Sequence, residues 1–235
     1  MRKFLLILLT MVSFLRAENV YATFNVVAQR EAKLAFVTGG VVDDVKVDIG
    51  SIVKKGSLLA TLNHDESGAI LQDAKTTYRF AKRDFERQSK IKKLIDEGVF
   101  DKVVSLYEKA KNDVDYKKAL YDKTFLKSPF DGVIYYKDIE VGDGISGVSL
   151  KTVFKIQSEH RRKLILEFDQ KYNKLVKIGQ TFEYKLDGDD TTYRGIISKI
   201  YPYADFNNRK IRAEVKAKDI IVGLFGNGYI LVDTK

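Results

Sequence analysis

The stretch that decides the architecture is "FLKSPFDGVIYYKDIEVGDG", residues 125–144, because the chain has nearly said it before in "FVTGGVVDDVKVDIG", residues 36–50. Gly40-Val41-Val42 is followed by Gly50, and Gly132-Val133-Ile134 is followed at the same interval by Gly142. Between these glycines apolar residues alternate: Val45, Val47 and Ile49 in the first copy, Ile139 and Val141 in the second. Alternation of this kind reads as strands with one face buried, and the glycines read as turns. Each copy ends in a further short strand, "SLLATL" (57–62) or "KTVFKI" (151–156). The pattern predicts two halves of one small β unit.

Between the halves the periodicity changes. From Asp65 to about Lys123 there is no proline, and only Gly68 and Gly98 interrupt good helix formers. Leu71, Ala74, Tyr78, Ala81, Phe85 and Gln88 recur at alternating intervals of three and four. After "DEGVFD" (96–101) the interval resumes at Val103, Tyr107, Ala110, Val114, Lys117 and Tyr121. Two such seams joined by a short turn predict an antiparallel coiled-coil hairpin. The first helix is expected over about 66–97, which is ~48 Å at ~1.5 Å per residue. Asp101 is expected to cap the second helix. Pro129 is expected to end helical continuation and start the extended return.

Outside this core the chain is β again. "YATFNVVA" (21–28), "KLILEFD" (163–169), "QTFEYKL" (180–186), "YRGIISKIYP" (193–202), "KIRAEVKA" (210–217) and "GYILV" (228–232) read as strands. Turns fall at Gly179, "DGDD" (187–190), "DFNN" (205–208) and "GLFGNG" (223–228). Strands at this spacing predict a small barrel or sandwich.

The first 17 residues stand apart. Arg2 and Lys3 precede an apolar run from Phe4 to Leu15, and Ala17 offers a small residue before Glu18. This is the layout of a secretory leader, and the run is too short to span a bilayer. It places the mature chain outside the cytoplasm. The leader holds three of the 41 basic residues and none of the 32 acidic ones, so the net charge of +9 falls by three on its removal. An exported basic chain points to an acidic protein surface rather than to nucleic acid. Cysteine is absent, which rules out disulfides, thiolate metal sites and a thiol nucleophile. Met1 and Met11 both lie in the leader, so the mature chain also lacks thioether ligands for a soft ion such as Cu(I). Zinc or nickel export is left open by composition.

Catalysis has little support. His64, in "NHDE", reads as a junction residue beside Asn63 or Asp65, either of which would cap the first helix. His160, in "EHRRK", reads as a linker residue. No phosphate-cradling loop or nucleophile elbow is present, and no cofactor or metal site is expected.

The order of these phrases resembles the periplasmic adaptor proteins, or membrane fusion proteins, of RND-type tripartite efflux systems. The residues that carry the resemblance are "GGVVDDVKVDIGSIVKKGSLLATL" (39–62), "LKSPFDGVIYYKDIEVGDGIS" (126–146) and the barrel phrases "LVKIGQTFEYKL" (175–186), "YRGIISKIYPYAD" (193–205) and "GLFGNGYILV" (223–232). The resemblance implies an α+β, elongated, multidomain chain. Its parts would be a leader at 1–17, a split lipoyl-like domain at 34–64 plus 126–158, an α-helical hairpin at 65–125 and a β-barrel at 18–33 plus 159–235. It implies no enzyme activity. Carrier domains of the lipoyl type modify a lysine in the turn that is here replaced by the hairpin. It also implies a bridging role between an inner-membrane RND-type transporter and an outer-membrane TolC-like channel, with self-association into a ring, a hexamer by analogy. An adaptor of a type I secretion system or ABC-type exporter is the alternative. Channel-docking adaptors often show arginine, leucine and serine at the hairpin tip; Lys90, Leu94 and Asp101 occupy that spacing here, and only the leucine is kept. With Arg87, and with Val99 and Phe100 as apolar residues in an expected solvated turn, these form the candidate docking tip. The chain also resembles a short form without a further membrane-proximal domain.

Overall fold

A computed structural model of the chain describes residues 19–232; the predicted leader lies outside the described residues. In chain order the elements are β1 (Val20–Ala28), β2 (Glu31–Leu34), β3 (Gly40–Val45), β4 (Ile52–Val53), β5 (Leu58–Leu62), α1 (Asp65–Lys90) and α2 (Glu97–Asp122). They continue with β6 (Phe125–Lys127), β7 (Gly132–Lys137), β8 (Gly144–Ile145), β9 (Phe154–Gln157), β10 (Arg161–Asp169), β11 (Thr181–Leu186), β12 (Tyr193–Ala204), β13 (Lys210–Lys218) and β14 (Phe225–Ile230). Contacts divide the chain into two units, one formed by the residues up to Gln29 with those from His160 onward, the other by Arg30–Glu159.

The second unit contains the repeat. Its strands make two four-stranded sheets, ordered β2-β9-β7-β4 and β6-β5-β3-β8. The two copies are interlocked rather than side by side: β3 of the first pairs with β8 of the second, and β4 with β7. The turns repeat this exchange atom for atom. The Gly50 N–H donates to the Ile134 carbonyl at 2.8 Å, and the Gly142 N–H donates to the Val42 carbonyl at 2.9 Å. Gly50 and Gly142 have φ of 89° and 92°, a region that L side chains rarely adopt, which is why each copy needs glycine there. Apolar residues from both copies, among them Val42, Leu59, Leu62, Ile134, Phe154 and Ile156, fill one core. Neither copy alone has a partner for its buried face.

The hairpin leaves this unit after β5 and returns at β6. Every position of the two predicted seams is buried or half-buried, while the intervening charged positions, Asp84 apart, are exposed. Aromatic rings close the distal half of the seam: Tyr107 stacks on Tyr78 and Phe85 at centroid distances of 5.7 and 4.8 Å, and Phe100 lies 6.1 Å from Phe85.

Helix boundaries differ from expectation. The first helix stops at Lys90 rather than near residue 97, so its 26 residues reach roughly 39 Å at ~1.5 Å per residue. The second ends at Asp122, where the Thr124 hydroxyl donates to the Tyr121 carbonyl at 2.7 Å. Pro129 therefore does not terminate it; the proline lies in the turn after β6.

In the first unit, β1-β10-β13-β12-β11-β14 form a closed antiparallel barrel, β14 pairing back onto β1. Inward positions alternate along each strand, and Phe24, Leu164, Leu166, Phe168, Phe182, Ile197 and Val215 fill the interior. Closure leaves no open edge in this sheet. The outer face carries a charge ladder in which Arg212 and Lys210 meet Glu167, and Lys163 meets Glu214.

Candidate functional site: the hairpin tip

The tip begins where α1 runs out. Arg87 and Lys90 occupy its last turn, where cations complement the negative end of the helix dipole. The Arg87 guanidinium also donates to Asp84 one turn back at 2.5 Å. Ile91 leaves helical geometry, with φ −114° and ψ 18°, and Lys92–Leu94 make a single 3-10 turn closed by the Leu94 N–H on the Ile91 carbonyl at 2.8 Å. Ile95 is extended and Asp96 follows it.

Asp96, not Asp101, caps α2. Its carboxylate accepts from the Gly98 and Val99 N–H groups at 2.9 and 3.2 Å, which satisfies two of the donors that a helix start leaves open. The helix thus begins before the expected break, with Gly98 in its first turn. Asp101 is an exposed residue of the second turn. The sequence signal was present, since an aspartate stands immediately before a run of helix formers; Gly98 obscured it.

The earlier start changes what Val99 and Phe100 do. Both lie on a helix rather than in a solvated turn. Phe100 is 8% exposed, packed on Phe85, with the Lys92 ammonium 4.8 Å above its ring. It is the staple of the hairpin end and offers no surface to a partner. Leu94 is 83% exposed and Val99 48%. Ile91, which was not among the expected tip residues, is exposed beside them. The exposed apolar residues are therefore Ile91, Leu94 and Val99, with the basic Arg87, Lys90, Lys92 and Lys93 before the α2 cap and the acidic Asp96, Glu97 and Asp101 at and after it.

The two histidines are better held than expected. The His64 ring is half-buried against Tyr121 and Phe125, with Nδ1 3.1 Å from the Leu62 carbonyl. It occupies the cap position of α1 without capping it through its side chain. His160 Nδ1 lies 2.9 Å from an Asp219 carboxylate oxygen, so it has an acidic partner, contributed by the far end of the barrel sequence. Neither belongs to a cluster of metal-ligating side chains among the described residues. No helix among those residues is long and apolar enough to cross a membrane.

The model of the CzcB-like, barrel-sandwich hybrid domain family matches residues 30–157, more than half of the chain. The chain belongs to this family. Its fold is also that of solved membrane fusion proteins. A MacA–MexA chimaera containing the Pseudomonas aeruginosa MexA α-hairpin domain aligns with a TM-score of 0.85 at 18% identity, covering 92% of this chain and 83% of that one. The membrane fusion protein Spr0693 from Streptococcus pneumoniae R6 aligns at 0.73 and 17% identity, covering 92% and 99%. MacA from Actinobacillus actinomycetemcomitans aligns at 0.65 and 17%, covering 92% and 79%. No curated protein matches significantly in sequence.

Proposed function

We propose that the chain is a periplasmic adaptor that bridges an inner-membrane transporter of the RND type and a TolC-like outer-membrane channel. The observation that carries the reading is the exposed apolar tip of the hairpin, Leu94 above all. An isolated leucine held out on a capped, stapled turn has no part in the fold's own stability. Its exposure suits a protein partner whose groove takes one aliphatic side chain, with Lys90 and Arg87 ready for carboxylates at the rim. Lysine at position 90 contributes charge without the planar fork of arginine, so its contact is less directional. Several copies, six by analogy with the family, pack side by side so that the tips form a ring. The work is mechanical: the ring seals a conduit, and no bond is made or broken.

The test is the double variant Leu94→Asp/Val99→Asp in cells that depend on this chain for efflux. Both side chains project from the fold, and an acid at position 99 suits a helix N-terminus. The expected result is loss of efflux-dependent resistance with an unchanged thermal melt of the purified protein. Wild-type resistance with the double variant would remove the tip from the mechanism. Recovery of an ABC-type exporter with the intact chain, in place of an RND transporter, would reassign the pump and leave the adaptor role standing.

A further inference from the structure

We propose that one mouth of the β-barrel is a binding site for a phosphate-bearing anion. The inference does not depend on the adaptor reading. β10 starts at this rim, β13 ends at it, and the start of β12 with Tyr184 of β11 completes it. A cavity of about 620 Å³ opens there. Arg161, Arg162, Arg194, Lys216 and Lys218 line it together with Tyr184, and none of the described lining residues is acidic.

The strand register sharpens the point. Arg161 stands directly across from Lys218, and Lys163 directly across from Lys216. Like charges in directly opposed positions destabilise a sheet. Lower on the same two strands the opposed pair is Glu167 with Arg212, a favourable arrangement with a 2.9 Å hydrogen bond. Lys163 turns diagonally to Glu214 at 3.3 Å, so the like-charged pair that remains at this rim is Arg161 with Lys218. An anion bound there offsets the repulsion between those two positions.

The buried position at the rim has the same character. Along β10 the inward residues are Arg162, Leu164, Leu166 and Phe168, so an arginine takes the last core-facing place. Arg162 is 8% exposed. Its Nε donates to the Ile220 carbonyl at 2.7 Å and Nη1 to the Arg161 carbonyl at 3.2 Å, which fixes the plane of the guanidinium. A fixed planar guanidinium is the donor geometry that oxyanions of phosphorus use best. Glu183 accepts from Arg194 at 2.6 Å, and Asp219 meets His160.

Size and lining exclude other classes. Barrel mouths are common ligand sites, and this volume falls in the small-molecule range. It exceeds what one inorganic phosphate needs, and suits a diphosphate or a phosphate ester with its substituent. Five of the lining residues are cationic, which suits an anion better than an uncharged export substrate. The phosphate can come from a soluble ester or from a lipid headgroup, whose recognition chemistry is the same.

Isothermal titration of the full chain with sodium pyrophosphate at low salt tests the proposal. Expected is saturable 1:1 binding, weakened about tenfold or more for each cation removed in Lys216→Gln/Lys218→Gln. Both side chains are exposed, so the fold is not at risk. Lys109→Gln/Lys111→Gln, an equal loss of charge on the exposed face of α2, is expected to bind like wild type. Absence of saturable binding, or equal weakening in the two variants, would overturn the site, the second result reducing it to net charge. Sedimentation with phosphatidylcholine vesicles containing phosphatidic acid then separates the sources. Pelleting that excess pyrophosphate reverses assigns a headgroup, and pyrophosphate binding without pelleting assigns a soluble ester.

Discussion

Leu94→Ala and Phe100→Ala remove apolar side chains from the same end of the hairpin, and the structure assigns them opposite consequences. Phe100 is 8% exposed and Leu94 83%. A phenyl ring so covered withdraws on the order of 150 Å² of apolar surface from water. At about 25 cal/mol per Å² this is worth roughly 3–4 kcal/mol. An extended-chain reference overstates such burial by about 10–40%, which brings the expected loss to about 2–3 kcal/mol. Loss of the Lys92 ammonium above the ring adds about 0.5–1 kcal/mol. Leu94 loses almost nothing, since an exposed substitution away from caps and core stays within about 0.5 kcal/mol. The effect is local to the hairpin end, so the assay is amide hydrogen exchange. Amides of Val103 to Tyr107, in the first turns of α2, are expected to exchange roughly 60- to 700-fold faster in Phe100→Ala, at ~1.4 kcal/mol per tenfold. They change less than about threefold in Leu94→Ala. Equal acceleration in the two variants, or none in Phe100→Ala, would refute the division of the tip into a staple and a presented residue.

Other expectations follow from the same geometry. Asp96→Ala removes the α2 cap and is expected to cost about 1 kcal/mol, whereas Asp101→Ala stays within about 0.5 kcal/mol; helical circular-dichroism melts of the two variants compare them. Gly132→Ala would place a Cβ 2.3 Å from the Gln157 carbonyl oxygen and is expected to cost about 3 kcal/mol. Gly50→Ala meets no atom within 4 Å and carries only the positive-φ penalty of about 1–2 kcal/mol, so urea midpoints should rank Gly132→Ala as the more damaging. Burial opposes ionisation of Glu214, but the Tyr201 hydroxyl and the Lys163 and Lys199 ammoniums outweigh it and hold the carboxyl below its ordinary value. A depressed folded value gives stability that is full above the unfolded pKa and lost as pH falls through the folded one. Barrel stability should therefore decline with acidification below about pH 4.5, the ordinary value, and Glu214→Gln should flatten that decline in pH-dependent urea unfolding.

The regular parts of the fold were legible because their periods are strong. Strand alternation located five of the six barrel strands closely, while the last starts at Phe225, inside the expected turn 223–228, and ends at Ile230 rather than 232; the three-four spacing picked out seam positions that are all at least half-buried. The repeated glycines announced the interlock, although the exchange of strands between copies involves pairings that no local pattern contains. The tip was read less well. Gly98 looked like a helix break because its intrinsic cost is real, yet a cap from Asp96 outweighs it. That one displacement turned Phe100 from a surface residue into a buried one and cost Asp101 its expected role. His160 shows the other limit: its partner Asp219 is 59 residues away in sequence. The cationic mouth was invisible for the same reason, since β10, β12 and β13 each contribute only one or two of its charges.

The central claim is that the exposed end of the hairpin meets an outer-membrane channel. A photo-crosslinking amino acid in place of Leu94, activated in cells with a functioning pump, tests it most directly, with Tyr116 on the same hairpin as the comparison site. The account predicts that position 94 captures the channel protein and that position 116 does not. Capture of only the inner-membrane transporter, or of nothing at all, by position 94 in efflux-competent cells would contradict it.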